Sequence, residues 1–576
     1  MSGSHWIAAQ FLLICCLWTA HCSYGPTVYI EQGALEGTLM TSRYGRTYCA
    51  FQGVPYAQPP VGELRFKEPA PPLPWKGVWN ATETGSMCLQ WTRVHPPNYG
   101  KQHPLIGDEN CLFVNVYTPK LPEGGETHHN MDVFVYFHSG AWQYGWGHEY
   151  GGKILMDRDV VVVTVVFRLG PLGFLSTGDD VVPGNMGLKD QSAALRWVKA
   201  NIAAFGGNPN SVTITGTSMG GIATQYHYLS PLSRGLFHRG ISMSGGATCP
   251  WGQMEAGPEK ARKLGALLGC HQKSSKELVE CLRTRPARQI VEQVKYFQVW
   301  MYNPFSPFGP TVETAGSTPF LTKHPVDLIL EGNVQDVPWM AGATTEDGLW
   351  PAADWVGCDR TLAELNERFD ELVPFILDYN YTVAADKKQE VVDRIREFYL
   401  QNQPVSSKTI KGVIEMCTDR TFLHNGVQSA KLQAAVNRSP VYYYLYGYRG
   451  KHSFSEIMSG TTKNFGVSHL DDTGYIFEYD FKTDETEQDK EMSKLWLDIW
   501  MAFAKTGNPV PARRNFEWKS VTSNVQEIDY LYIGGPKHLE MRKSDDLGHR
   551  KFWDSLPIDE PQMRVDTPIK IKHTEL

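Results

Sequence analysis

The chain has 576 residues, 42% of them apolar and 20% charged, and a net charge of −7. That composition suits a globular protein with a sizeable core. The negative balance, with no dense basic run, excludes nucleic acid as a partner.

The first residues read as a targeting segment. Trp6 to Ala20 is an apolar stretch of signal-peptide length, too short for a comfortable membrane span. Ala20-His21-Cys22 offers small residues before a cut, so cleavage after Cys22 is expected. Residues 1–22 are then a signal peptide and 23–576 a single α/β domain. No second apolar segment suggests a membrane span. Three of the eleven cysteines fall in the leader. The remaining eight, an even number, fit an oxidising compartment. Asn80, Asn380 and Asn437 head N-x-S/T triplets and are glycosylation candidates. The chain ends His573-Thr574-Glu575-Leu576, similar to a retrieval signal, so both secretion and retention in the endoplasmic reticulum lumen through a retrieval receptor stay open.

The elements follow in order. Residues 27–39 predict a strand pair, and residues 51–66 a long ordered loop dense in proline and glycine. Segments 111–117 and 132–137 predict strands. Val160 to Phe167 is almost wholly apolar and β-branched, as in a strand covered on both faces. Leu188 to Phe205 has helical spacing, and Val212 to Thr215 is a short strand. Gly240–Ser244 and 337–343 predict further strands. Residues 257–300 are helical. Residues 357–435 predict a helical insertion over the sheet. Val441 to Tyr448 is a late strand, Lys490 to Lys505 an amphipathic helix with Leu495, Trp496, Ile499 and Phe503 inward, and 528–533 a last strand. Alternation of this kind predicts an α/β fold with a large, mostly parallel sheet.

The chemistry centres on Gly216-Thr217-Ser218-Met219-Gly220, a G-x-S-x-G between strand and helix. A serine at such a turn is held in a strained backbone that exposes its hydroxyl, and the helix behind it favours negative charge. An elbow serine needs an acid and then a histidine further along the chain. Asp347, in Thr344-Thr345-Glu346-Asp347-Gly348, and His469, in Gly466-Val467-Ser468-His469-Leu470-Asp471-Asp472, fit that order. Glu346 is the alternative acid. His138-Ser139-Gly140-Ala141 follows a strand where such enzymes carry their oxyanion loop. The N–H groups of Gly140, Ala141 and Met219 are the expected donors. No cofactor or metal is called for by this set.

The motifs FQGVPYAQPPVGELRF, GDENCLFVNVY, PGNMGLKDQSAALRWVKANIAAFGGNPNSVTITGTSMGG, GLFHRGISMSGG and GVSHLDDTGYIF together resemble the type-B carboxylesterase/cholinesterase family. Among its members the look is nearest to secreted insect carboxylesterases of the venom and juvenile-hormone-esterase-like groups. The resemblance implies an α/β-hydrolase fold and the triad Ser218, Asp347 and His469. It also implies disulfides Cys88–Cys111 and Cys270–Cys281 and a supporting role for Ser244 behind the triad. Thr217 and Met219 depart from the family's usual Glu and Ala, and Asp347 from its usual Glu. Cys49, Cys249, Cys358 and Cys417 have no implied partner and allow three pairings or free thiols. Trp91 lies too close to Cys88 to match the family's choline-binding tryptophan, so choline is not the expected alcohol. The expected function is a serine esterase of the secretory pathway acting on small-molecule esters. The alternatives are a non-catalytic binding or adhesion relative and a lipase of the same fold.

Overall fold

The computed structural model describes residues 25–92, 104–122, 130–479, 481–523 and 526–561. The expected signal peptide and the C-terminal His573–Leu576 lie outside these residues.

An eleven-stranded sheet organises the chain. Its strands are β1 (Thr38–Thr41), β2 (Thr47–Pro55), β3 (Phe113–Thr118), β4 (Met131–Phe137), β5 (Val161–Val165), β6 (Gly207–Thr217), β7 (Arg239–Met243), β8 (Trp339–Thr344), β9 (Val441–Tyr446), β10 (Ile528–Gly535) and β11 (His538–Ser544). They lie in the order β11-β10-β9-β8-β7-β6-β4-β5-β3-β2-β1. From β10 to β5 every neighbouring pair is parallel, and the pairs at both edges are antiparallel. A small separate sheet holds Thr27–Ile30, Gly33–Glu36 and Val78–Asn80.

Strand periodicity divides the core in two. Val161, Val163 and Val165 pack with Val133, Val135 and Phe137 in one cluster, whereas Val160 and Val162 join Phe134 and Tyr136 in the other. Every residue of β5 is buried, because side chains alternate between two covered faces. The first cluster also takes residues of the helices α1 (Met186–Asn201), α2 (Met219–Leu229) and α3 (His424–Val436). The second takes α4 (Glu487–Thr506). The hydroxyl of Thr486 caps α4 by accepting from Asp489 N at 3.0 Å, and Gly507 ends it in a left-handed conformation. The predicted inward residues Leu495, Trp496, Ile499 and Phe503 are all buried. Leu495, Ile499 and Phe503 each contribute roughly 1.5–3 kcal/mol of hydrophobic burial.

Three readings are corrected. Residues 51–55 of the predicted 51–66 loop belong to strand β2. A register shift between Phe51 and Val54 absorbs the irregular Gln52-Gly53 and masks the alternation. The polar edge strand β11 was not foreseen, since one flank of an edge strand needs no apolar face. The helical segment begins at Leu349, earlier than 357, and its helices up to Thr418 form a core of their own with Trp553, Leu556 and Ile558. Cys88–Cys111 and Cys270–Cys281 are disulfides, and Cys49, Cys249, Cys358 and Cys417 are free thiols.

Candidate active site

Strand β6 and helix α2 meet at Ser218, which has φ 62° and ψ −123°. That conformation is costly for a side-chain-bearing residue, so its neighbours must hold it. Ser218 N–H donates to Met243 O at 2.8 Å, and Ser218 O accepts from Ile222 N at 3.0 Å. The flanking glycines are steric necessities. A Cβ on Gly216 would lie 2.4 Å from the backbone of Gly220, and one on Gly220 would lie 2.0 Å from Phe137 O. Ser218 keeps 5% of its surface, at the C-terminal end of the parallel strands.

His469 stands in the loop after β9, and its Nδ1 is 2.6 Å from Asp347 Oδ1. The carboxylate is fully buried, and its second oxygen accepts from Thr344 N at 3.0 Å. Gly348 must follow it, because a Cβ there would meet Thr418 N at 2.2 Å. Glu346, the alternative acid, meets the same loop at a different point. It bridges to Ser468 as a strand would, and its carboxylate accepts from Val467 N at 2.7 Å. The structure therefore gives the two neighbours different tasks: Glu346 holds the histidine loop and Asp347 holds the imidazole.

Two buried aspartates fix the rest of that loop. Asp471 accepts from Ser468 N at 2.8 Å and Phe454 N at 2.9 Å, and Asp472 accepts from the Tyr444 hydroxyl at 2.7 Å. Burial pushes Asp471 up to about 7 and Asp472 to about 6. The ring of Phe422 packs 4.6 Å from that of His469. Thr473 and Thr217 share a hydrogen bond of 2.9 Å between their hydroxyls. This bond ties the histidine loop to the residue preceding Ser218. Sequence reasoning marked Thr217 only as a departure; its partner lies 256 positions away.

The loop after β4 carries Gly140 (φ 123°), Ala141 (φ 52°) and Trp142 (φ 64°). Gly140 is obligatory: a Cβ would lie 1.8 Å from Tyr144 O. Among the described residues, the N–H groups of Gly140 and Ala141 donate to no acceptor. Met219 opens α2, so its N–H has no carbonyl one turn behind it. Beside Ala141 lies a pocket walled by Trp91, Tyr144, Tyr302, Phe305 and Trp350. Tyr302 and Trp350 stack at 5.3 Å, and the Lys295 ammonium lies 5.6 Å from the Trp91 ring.

Ser244 sits in a left-handed turn with its Oγ buried and without a hydrogen-bond partner among the described residues. No hydrogen bond joins it to Asp347 or His469. Asn80 is exposed and Asn380 half-buried, whereas Nδ2 of Asn437, the atom a glycan would occupy, is enclosed.

A serine elbow on a parallel strand, with an acid and then a histidine following it in the chain, defines an α/β-hydrolase. Comparison with known proteins narrows the class. A model of the carboxylesterase family matches residues 24–553. The venom carboxylesterase-6 of Apis mellifera is 42% identical over 539 residues, 93% of this chain and 95% of its own. A carboxylic ester hydrolase of Bombus ignitus is 43% identical over 93% of this chain and 95% of its own. The juvenile hormone esterase of Tribolium castaneum is 35% identical over 92% and 94%. The crystal structure of juvenile hormone esterase from Manduca sexta, with OTFP covalently attached, superposes with a TM-score of 0.79 at 28% identity. It covers 92% of this chain and 99% of that one. The chain belongs to the carboxylesterase family and is an enzyme of that class.

Proposed function

We propose that the chain hydrolyses small-molecule carboxylic esters through an acyl-enzyme on Ser218. Ser218 Oγ attacks the ester carbonyl carbon while His469 takes its proton. The tetrahedral oxyanion is met by the N–H groups of Gly140, Ala141 and Met219. Its collapse expels the alcohol, which leaves with the proton from His469. Water then repeats the sequence and frees the acid. Asp347 keeps the imidazole proton on Nδ1, so that Nε2 is the base, and offsets the charge that His469 gains.

The observation that carries this reading is the 2.6 Å bond between His469 and Asp347, in a loop that the Thr217–Thr473 bond anchors to the elbow. The aromatic pocket beside Ala141 favours an apolar ester group. Synthesis into the secretory pathway follows from the N-terminal leader and the disulfides, with secretion or retention in the lumen as its end. No helix of the described residues is long and apolar enough to cross a membrane.

Ser218→Ala tests the reading. Turnover of p-nitrophenyl acetate should fall to background with the melting temperature unchanged. Retained turnover would assign the nucleophile elsewhere.

A further inference from the structure

The strand-end loop that carries Gly140 and Ala141 is not in a relaxed conformation. Ala141 and Trp142 both have positive φ, which side-chain-bearing residues seldom adopt. Something must hold the peptide unit between them. Its N–H, on Trp142, is directed at Met219 Sδ and in contact with it. Its carbonyl, on Ala141, accepts from Ser306 Oγ at 3.2 Å. Met219, Trp142, Ala141 and Ser306 are all buried, so water does not compete for either bond. One residue further on, Trp142 O accepts from Gly170 N at 2.7 Å.

We propose that Met219 is a positioning residue: its thioether sulfur, with the Ser306 hydroxyl on the opposite edge, clamps the Ala141–Trp142 peptide and so aims the oxyanion donors. This rests on the acyl-enzyme reading above. Met219 is suited to the task because one residue serves both halves of the oxyanion hole. Its backbone N–H heads α2, and its side chain reaches the loop after β4. Ala141 N–H lies one peptide before the clamped unit. Release of that unit lets Ala141 leave its left-handed conformation and swings the N–H away. A misaimed donor costs most in the transition state, where the oxygen is charged, and little in the bound ester. The thioether sulfur is an acceptor that an aliphatic side chain of the same size lacks, which accounts for a methionine beside the hole.

Three variants of the full-length protein test the clamp. Met219→Leu keeps volume and the backbone N–H but removes the acceptor. Met219→Ala removes acceptor and volume. Ser306→Ala releases the other edge. Each is assayed for kcat and KM with p-nitrophenyl acetate. Each is also titrated with a trifluoromethyl ketone, which adds Ser218 to form an oxyanion, and with the matching methyl ketone, which binds as an uncharged carbonyl. Both ketones are read on the same folded fraction, so their ratio of inhibition constants is independent of expression yield. In M219L and M219A alike, kcat and the preference for the trifluoromethyl ketone should fall by about tenfold, with KM within about twofold. S306A should move both in the same direction. Wild-type values in M219L, or a loss confined to M219A, would overturn the clamp and leave Met219 a filler of space. If M219L does not fold, wild-type values in S306A overturn it. A wild-type protein that neither turns over nor forms the trifluoromethyl ketone adduct at Ser218 would instead refute the acyl-enzyme reading beneath it.

Discussion

Asp347→Asn perturbs the site with little else changed. The native carboxylate is fully buried and accepts from two donors, His469 Nδ1 at 2.6 Å and Thr344 N at 3.0 Å. The backbone donor cannot turn, so the amide oxygen of the variant must face Thr344. Its NH2 then faces His469. The imidazole must offer a lone pair at Nδ1, which moves its proton to Nε2, the nitrogen that serves as base. The fold keeps both contacts, but the base is in the wrong tautomer. In serine triads this change lowers kcat about 10⁴-fold, equivalent to about 5.4 kcal/mol of transition-state stabilisation. Glu346→Gln is the control. Its amide oxygen still accepts from Val467 N, so the loss should stay below about tenfold, or ~1.4 kcal/mol. Steady-state turnover of p-nitrophenyl acetate and the acylation burst, with thermal melts to confirm folding, measure both. D347N within tenfold of wild type, or E346Q as damaged as D347N, would refute the assignment of the acid.

Other outcomes follow from the same geometry. Gly140→Ala places a Cβ against Tyr144 O in a backbone suited to glycine, so kcat should fall about 10²–10³-fold; a loss under tenfold would remove Gly140 from the oxyanion hole. Burial raises Asp471 to about 7, against roughly 3.9 in the unfolded chain, so across that window the native state keeps a proton that the unfolded state has released. The contribution of Asp471 to stability therefore declines as pH rises through the window and is level above it. Asp471→Asn removes the titration, at the cost of one of the two backbone donors that the carboxylate accepts from, and that cost is the same at every pH. Urea denaturation at pH 5 and pH 8 should show D471N gaining on wild type at the higher pH, and an equal difference at both would contradict the burial argument.

Much of this site is legible from local sequence. The Gly-x-Ser-x-Gly spacing works through a steric rule five residues wide: Gly216 and Gly220 touch, and no side chain fits between them. The buried strands are legible because β-branched runs covered on both faces leave few polar positions; β5 has only Thr164. The sequence order put Asp347 ahead of Glu346, but the contacts that distinguish the two neighbours, Asp347 with His469 and Glu346 with Ser468, are visible only in the structure. Residues joined across long separations left no local trace. Thr217 with Thr473, Met219 with Trp142, and Phe422 with His469 belong to this group. For the first two, the clue was a departure from the usual elbow, which marked the position without naming the partner. The edge strand β11 was missed for a related reason: edge pairing satisfies the backbone without imposing an apolar pattern, whereas β2, paired on both sides, was hidden by its register shift.

The most direct test of the central claim is active-site titration with an organophosphate, read by mass spectrometry of the modified peptide. One phosphoryl group per chain on Ser218, formed in step with the loss of p-nitrophenyl acetate turnover, is the predicted result. A folded protein that carries no label at Ser218, or loses its turnover through a label elsewhere, would contradict it.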